Sequence, residues 1–404
     1  MSATMTPCEA SIPRQHLGAG FPGQVTTSRC RSPGPLALAF VLSLAPAASA
    51  LAAGCEAPRN EAEYAIFLSP DGSDEAIGTS ASHPVRTLKR AEQLLRAAPA
   101  GKRLSFAVRF LPGTYRGLTV DWDFDAQGQA MLFAPVAGAG RGSVVIDGRG
   151  SNQTRLLTLR GPAAAGANDS WNACLTFRDL HIRNYCEAIS IGDHKTTVNI
   201  TGVVVEDNRF ENIGSKHEDR PAPGDWEVRP IGACTAAIRL QSASGNIIRR
   251  NRFEHIENIA PDLTLTKLYG PSHLHALYIA HGSSRNLIEY NQFDHFTGPA
   301  VRLRSQSDYN RIYRNEFSNG VNPPARRVKA PIYAVSQWYC ASQVPQCVDR
   351  EKAGKAECPS IGTEIIENRA SGQVPLYADE SGAKAIHCPG RTDNTRLVGN
   401  VVLP

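Results

Sequence analysis

Arginine, tyrosine and histidine residues recur at the outward-facing positions of several short alternating segments, and these residue types suit chemistry on an acidic sugar. The segment "AAIRLQS" presents Arg239, "ALYIAHG" presents Tyr278 and ends with His281, and "AVRLRSQ" presents Arg302 and Arg304. Successive side chains of a β-strand point to opposite faces, so these residues share one face while aliphatic residues fill the other. Guanidinium groups bind carboxylates, and imidazole and phenol groups transfer protons. The combination predicts a site that moves a proton beside a carboxylate.

One reaction that such residues support is β-elimination, in which a uronate loses its C5 proton and expels its 4-linked oxygen. The reaction needs a cation on the uronate carboxylate, a base for the proton and a proton donor for the departing oxygen. His281 is the predicted base, because imidazole accepts a proton near neutral pH without a large perturbation. Arg304 or Arg302 is predicted to neutralise the carboxylate, and Tyr278 is predicted to be the donor or an alternative base.

Two further segments extend this set of residues into a predicted substrate groove. "PIYAVSQ" presents Tyr333 and "VPLYADE" presents Tyr377. Coils stacked about 4.8 Å apart would place five side chains in one row. In order, these are Arg239, Tyr278, Arg302, Tyr333 and Tyr377. Four insertions that enter just before the same strands are predicted to wall the groove and to supply Lys267 and His273 for substrate binding. They cover residues 215–235, 258–275, 321–330 and 340–361.

A repeated phrase predicts the scaffold that positions these residues. "VVVEDNRFENI", "NIIRRNRFEHI", "NLIEYNQFDHF" and "NRIYRNEFSNG" share an Asn-x-Phe motif, and weaker copies follow near the end of the chain. The recurring Asn residues are 208, 251, 291, 315, 368 and 400. The 24-residue interval from Asn291 to Asn315 fits one complete coil, and longer intervals fit a coil with an inserted loop. The sequence therefore predicts an all-β, right-handed parallel β-helix. A β-sandwich is the alternative, but it would not explain the repeated motif. The Asn is expected to occupy a tight corner with left-handed backbone.

The segment before the repeats is predicted to cover the open first coil. Leu88, Ala91, Leu94 and Leu95 recur at helical spacing, which predicts a short capping helix over residues 87–97. Residues 60–115 form the predicted cap segment and residues 170–404 the clearest coils. This organisation resembles the entry segment of secreted right-handed parallel β-helix proteins of the pectate-lyase-like superfamily. The resemblance extends over nearly all of residues 60–404.

Two consecutive coils carry a closer resemblance. "YIAHGSSRNLIEYNQF" and "AVRLRSQSDYNRIYRNEF" resemble the catalytic coils of the chondroitinase-B and alginate lyase family. The resemblance places His281 near the lysine of that family and Arg304 near its arginine. The chain departs from the family because it lacks the Ser-Asn-Lys-Ser phrase, so its base would be His281 or Tyr278.

The acidic calcium ligands of such lyases are also not evident. The exposed strand positions show Asp193, Asp379 and Glu380, which are far apart along the helix. No cofactor is therefore predicted to be required, although Ca²⁺ binding stays open.

Other activities on the same fold stay open as well. In this chain "AHG" followed by "VRLR" resembles the motifs of β-helix galacturonidases. The preceding coils of this chain, "AISIGDHK" and "AAIRLQS", nevertheless lack the paired carboxylates that hydrolysis needs. C5-epimerisation shares the proton-abstraction step with elimination. A noncatalytic carbohydrate-binding β-helix is the remaining alternative.

Composition narrows the class of partner. The 404 residues include 43 Lys and Arg against 38 Asp and Glu, for a formal charge of +5. That excess permits an acidic ligand but falls far short of a nucleic-acid-binding surface. With 42% hydrophobic residues the chain can build a packed core. We expect a monomer that binds an acidic polysaccharide, with no nucleic acid partner and no transmembrane segment.

The N-terminal 54 residues have the pattern of a leader and signal peptide. Arg29 and Arg31 precede an apolar stretch over 36–44, and Ala48-Ser49-Ala50 is a small-residue cleavage site. A single membrane anchor and a lipoprotein attachment at Cys55 are the alternatives. Residues 55–404 are thus the predicted mature domain, secreted or periplasmic. Eight cysteines remain in that domain, and an even number behind a signal peptide indicates disulfides.

Overall fold

Three parallel sheets make up the described part of the chain. The computed structural model describes residues 63–98, 105–149, 155–162, 169–192, 198–214, 234–257, 274–321, 331–340, 357–381, 388 and 390–404. These residues contain 27 strands, numbered along the chain, and one helix.

Ten of these strands form sheet A, nine form sheet B and eight form sheet C. Sheet A contains β1 (Glu63–Leu68), β2 (Ser105–Phe110), β5 (Met131–Pro135), β8 (Ser170–Arg178), β11 (Asn199–Glu206), β14 (Ile247–Arg249), β17 (Leu287–Glu289), β20 (Arg311–Tyr313), β23 (Glu364–Ile366) and β26 (Arg396–Val398). Sheet B contains β3 (Gly113–Arg116), β6 (Val144–Asp147), β9 (His181–Arg183), β12 (Arg209–Ile213), β15 (Arg252–Ile256), β18 (Gln292–Phe296), β21 (Glu316–Gly320), β24 (Arg369–Ala370) and β27 (Val401–Val402). Sheet C contains β4 (Val120–Trp122), β7 (Arg155–Leu159), β10 (Glu187–Ile191), β13 (Ala236–Gln241), β16 (His275–Ala280), β19 (Val301–Leu303), β22 (Val335–Gln337) and β25 (Tyr377–Asp379).

From β4 onward the chain visits sheets C, A and B in turn, and each strand pairs in parallel with the equivalent strand of the next coil. Strand β16, for example, pairs with β13 on one side and β19 on the other. This arrangement is a three-sheet parallel β-helix. It confirms the predicted fold class and rules out the β-sandwich.

The Phe of the repeated motif forms the centre of the core. Phe210, Phe253, Phe293 and Phe317 are fully buried and stack along the helix axis. Their ring centroids are 4.9, 4.9 and 4.8 Å apart and the rings tilt by no more than 8°. The Phe recurs in the sequence because four successive coils each contribute one ring to a single stacked column.

The Asn of the same motif forms a continuous hydrogen-bonded ladder at the corner between sheets A and B. Each Asn from 208 to 368 donates from its amide nitrogen to the Oδ1 atom of the Asn on the next coil, at 3.0–3.1 Å. The expected left-handed backbone belongs to the residue before each Asn, as at Arg250 and Tyr290, with φ values of 53° and 54°. The prediction that the Asn itself is left-handed was wrong, because its side chain must turn inward to reach its neighbour.

We expect the Asn ladder to be a main source of stability, with Asn291→Ala as the test. Asn291 is fully buried, donates to the Ile248 carbonyl, and accepts from the Asn251 backbone and side chain at 3.0 and 3.1 Å. Each buried polar group left unpaired costs about 1–3 kcal/mol, so the loss of unfolding free energy should be about 3 kcal/mol. Denaturant titration measures it. The exposed neighbour Gln292 provides the control, and an equal loss in Gln292→Ala would contradict the assignment.

The predicted capping helix is present as α1 (Leu88–Arg96), which begins after an N-cap at Thr87. Its buried face includes Leu88, Ala91 and Leu95, and it packs against β1 and β4. The Glu92 carboxylate accepts the backbone N–H groups of residues 123 and 124, both at 2.9 Å. The helix thus covers the first coils with both apolar and polar contacts.

Disulfides are present, as predicted from the cysteine count. Cys186 bonds to Cys234, and Cys358 bonds to Cys388. Among the described residues, no helix is long and apolar enough to cross a membrane. The leader and the lipoprotein position lie outside the described residues, so secretion stays a prediction.

Candidate functional site

The register of sheet C confirms the central part of the predicted row. Arg239 of β13 pairs with Tyr278 of β16, and Tyr278 pairs with Arg302 of β19. The row continues to Ser190 on one side and to Ser336 on the other. One cationic, one phenolic and one cationic side chain therefore follow each other on three successive coils.

The two outer tyrosines do not belong to this row. Ser336 and Ala378 occupy the positions predicted for them. Tyr333 lies two residues before β22, where its carbonyl accepts the backbone N–H of residue 300. Tyr377 pairs with the core residue Val335, and its hydroxyl bonds to Asp393 and Thr395. Burial raises the pKa of Tyr377, and its hydroxyl is engaged away from the row.

Arg304 occupies the centre of the densest set of polar contacts on this face. Its Nε and Nη2 atoms donate to the two oxygens of Glu357 at 2.7 and 2.8 Å. Its Nη1 atom donates to the Tyr278 hydroxyl at 3.0 Å, and its Cζ atom lies 4.3 Å from the centre of the Trp338 ring. Burial disfavours the charged guanidinium, but Tyr278 and Glu357 outweigh that penalty and raise the pKa of Arg304. The Arg304 guanidinium is thus held by three side chains, those of Glu357, Tyr278 and Trp338.

The two arginines of the row itself, Arg239 and Arg302, are also held by carboxylates. The Arg302 Nη1 atom lies 2.6 Å from Glu380, and burial lowers the pKa of Arg302 although Glu380 opposes that shift. Arg239 donates to the Ser190 hydroxyl at 3.2 Å and lies 3.7 Å from the buried Glu187 carboxylate. Each guanidinium is thus positioned before any ligand arrives, which reduces the entropy that binding would cost.

Tyr278 is held by stacking as well as by its hydrogen bond. Its ring lies parallel to that of His275, with centroids 5.8 Å apart and an interplanar angle of 11°. The Nδ1 atom of His275 donates to the Pro299 carbonyl at 2.8 Å, which fixes the imidazole in turn. Tyr278 is 9% exposed, so only the edge of this assembly reaches solvent.

His281, the base predicted from the sequence, directly follows a strand of sheet C. It is the first residue after β16, in a turn where its φ is 54° and its carbonyl accepts the backbone N–H of Ser242. Ile279 pairs with Leu303, so His281 lies one residue beyond the position opposite Arg304. Of the two residues predicted to transfer a proton, Tyr278 is the one to which Arg304 donates a hydrogen bond. The site role predicted for Lys267 and His273 falls outside the described residues.

Three neighbours of the candidate site residues were missed from the sequence. Trp338 is two positions beyond Ser336, and correct strand phase would have placed it on this face. His275 begins β16, three residues before the ring that it stacks on. Glu357 had no such signal, because it lies 53 residues after its partner Arg304 and past a long insertion.

The predicted insertions enter the chain at two kinds of connection between strands. Three of them, at 215–235, 258–275 and 321–330, connect a strand of sheet B to the next strand of sheet C. The fourth, at 340–361, follows β22 and leads to sheet A. The prediction that all four precede the same strand was therefore wrong for the fourth, whose far end supplies Glu357. Within the described ranges no group of three or more His, Cys, Asp or Glu residues could hold a metal ion. The predicted lack of a calcium requirement stays a prediction.

Comparison with known proteins identifies the fold. No protein-family model matches the chain, and no curated protein matches its sequence. Among solved structures, the pectate lyase Pel9A aligns with a TM-score of 0.50 at 12% identity, over 87% of this chain and 80% of that one. A rhamnogalacturonan lyase aligns with a TM-score of 0.47 at 12% identity, over 76% and 68%. An alginate lyase from Paenibacillus sp. str. FPU-7 aligns with a TM-score of 0.44 at 12% identity, over 79% and 96%. The chain therefore has the parallel β-helix fold that the pectate lyase Pel9A also has.

Proposed function

We propose that the chain binds an acidic polysaccharide across sheet C and cleaves it by β-elimination. The observation that carries the proposal is the Arg304–Tyr278 pair, a guanidinium 3.0 Å from a phenolic oxygen on the neighbouring coil. A buried carboxylate, Glu357, fixes that guanidinium, so the pair is preorganised. The established use of the same fold by a pectate lyase supports a polysaccharide substrate.

Tyr278 is the proposed proton-transfer group, in place of His281. As the phenolate it takes the C5 proton of a uronate, and the C–H electron pair forms the C4–C5 double bond. The C4–O bond breaks with its electron pair on the glycosidic oxygen, which then takes the proton back from the Tyr278 hydroxyl. Arg304 stabilises the negative charge on the phenolic oxygen at the start and end of this sequence.

Arg239 and Arg302 are the proposed partners of the sugar carboxylates. They flank Tyr278, each one coil away, which is about 4.8 Å along the helix axis. A polysaccharide lying along that axis would bring its carboxylates past both guanidinium groups. Binding of the uronate carboxylate to a guanidinium makes the adjacent C5 proton more acidic. The reason is that the guanidinium stabilises the enolate-like anion that forms when this proton leaves.

Hydrolysis has less support from the same geometry. It requires one carboxylic acid that can donate a proton and one free carboxylate. Glu187, Glu357 and Glu380, the carboxylates in contact with the arginines of the site, all accept from or pair with guanidinium groups. They are therefore best suited to hold the arginines in place.

A product analysis tests the proposal. The purified chain is incubated with alginate, pectate, glycosaminoglycans and bacterial exopolysaccharides, and ultraviolet absorbance, reducing ends and uronate configuration are recorded. We expect absorbance of an unsaturated uronate with one polymer class. New reducing ends without that absorbance would replace the proposal with a hydrolase, and inverted uronates without chain cleavage would replace it with an epimerase. Binding without any product would leave a carbohydrate-binding protein.

A further inference from the structure

A groove lies at the corner between sheets A and B, and this corner does not border sheet C. It encloses about 580 Å³ and is lined by residues from the turns of five successive coils. Five coils span four spacings of about 4.8 Å, so the groove runs roughly 19 Å along the axis. That length fits an extended chain better than a compact small molecule.

Guanidinium groups dominate the lining of this groove. Arg141, Arg209, Arg250 and Arg252 line it, against two carboxylates, Asp179 and Asp207. Arg141 belongs to the turn between β5 and β6 and reaches Asp207 at 3.2 Å. It forms a highly exposed wall, since 79% of its side chain is accessible. The lining therefore favours an anionic ligand.

Carboxylates behind the lining hold these arginines in place. Glu254 pairs with Arg209 and with Arg252, both at 2.6 Å, and Asp207 pairs with Arg250 at 2.8 Å. Arg252 uses one terminal nitrogen in its pair and keeps 58% of its side chain exposed. A guanidinium carries five N–H donors, so an arginine anchored on one side can still bind an oxyanion on the other.

An exposed aromatic ring completes the groove. Tyr290 lies at the same corner, 45% exposed, and its hydroxyl accepts from the Nη1 atom of Arg314 at 3.2 Å. Its backbone is left-handed, with φ of 54°, as at the equivalent corner position Arg250 on the preceding coil. The turn of the β-helix therefore determines where the Tyr290 ring lies. A tyrosine ring presents an apolar face with a polar edge, which suits the mixed surface of a sugar ring.

We propose that this groove is a second binding site for an acidic saccharide chain that carries carboxylate or sulfate groups. The site uses none of the residues of sheet C, so it can hold a polymer whether or not the chain cleaves it. Two sites on one polymer raise the apparent affinity by making the second contact intramolecular.

Electrophoresis of the full chain through gels that contain a polysaccharide tests this site. The probes are pectate for carboxylates, dextran sulfate for sulfates and dextran as the neutral polymer. We expect retardation by one or both acidic polymers and none by dextran. Arg252→Ser should weaken that binding by about tenfold, the size of one charge-assisted contact. Tyr290→Ala should weaken it by a similar factor, roughly that of one lost ring contact. Arg369→Ser is the matched control, because Arg369 is an exposed arginine of sheet B that does not line the groove.

Two results would overturn the second site. One is unchanged retardation in both groove variants while Arg302→Ser removes it. The other is a gel result without preference for acidic polymers, in which dextran retards the protein as strongly as they do or no polymer retards it. Because binding is measured without turnover, a failure of the proposed lyase activity does not affect this test. Thermal unfolding of each variant checks that the β-helix is intact.

Discussion

Replacing Tyr278 with phenylalanine should lower turnover of the acidic polysaccharide by a factor of about 10²–10⁴, the usual contribution of one acid–base group. The substitution removes only the oxygen that accepts from Arg304 and leaves the ring stacked on His275. Folding should therefore be unaffected, and binding of the polymer should change little. The measurement is the initial rate of unsaturated-uronate formation, with kcat and KM resolved separately.

Tyr309→Phe is the control for this change, because Tyr309 is 51% exposed and lies outside the row. His281→Ala tests the alternative that His281, rather than Tyr278, is the base. A rate that falls as pH drops through about 6.5, the ordinary pKa of histidine, together with a dominant loss in His281→Ala, would move the base to His281. A tyrosine base gives a rate that continues to rise with pH after an ordinary histidine has lost its proton. Full activity in Tyr278→Phe would remove the tyrosine from the mechanism.

The parts of the molecule that repeat from coil to coil could be predicted from the sequence. Asn291 and Phe293 recur because each must touch its own equivalent above and below, so the same residue types return at the same point of every coil. The same reasoning identified Arg239, Tyr278 and Arg302 as neighbours, since parallel pairing in register aligns like positions.

Contacts that break the repeat could not be predicted in this way. Ala334 and Val335 are successive residues that both enter the core, so the alternation is interrupted at the start of β22 and Tyr333 falls out of phase. The same interruption at Leu376 and Tyr377 turns the second tyrosine toward the core. A strand of three residues is too short for its phase to be fixed by pattern alone.

Glu357 illustrates the other limit. Its partner Arg304 directly follows strand β19 of sheet C, whereas Glu357 lies past an insertion, 53 residues later. No local pattern connects the two, and only the return of the chain to the next coil brings them together. Glu357 was therefore missed as the partner of Arg304, whereas Glu380, which pairs with Arg302, was among the exposed strand positions identified from the sequence.

Removing the Arg304 side chain should cost both activity and stability. Glu357 is 3% exposed, and Arg304→Met removes the guanidinium that donates to both of its carboxylate oxygens at 2.7 and 2.8 Å. Breaking such a pair from one side costs about 3–5 kcal/mol of unfolding free energy. Turnover should fall by about 10²–10³, because the charge that stabilises the Tyr278 oxygen is lost. Denaturant titration and initial rates measure the two effects on the same protein.

A double variant separates these two effects. Adding Glu357→Gln to Arg304→Met removes the buried negative charge. In the native chain the Glu357 carboxylate accepts the backbone N–H of Cys340 at 3.2 Å, and the amide oxygen of a glutamine at this position can still do so. Stability should then recover in large part, whereas turnover should not. Recovery of both would mean that Arg304 only supports the fold.

The chain contains its own control for this experiment in a second Arg–Glu–Tyr set. Arg314 pairs with Glu367 at 2.6 Å and donates to the Tyr290 hydroxyl at 3.2 Å, and the glutamate again comes 53 residues after the arginine. This set lies on the surface, where its arginine and glutamate side chains are 49% and 45% exposed. Surface ion pairs contribute little, so Arg314→Met should leave both unfolding and turnover nearly unchanged. Equal losses at Arg304 and Arg314 would show that the Arg–Glu–Tyr geometry serves the repeat scaffold rather than the site on sheet C.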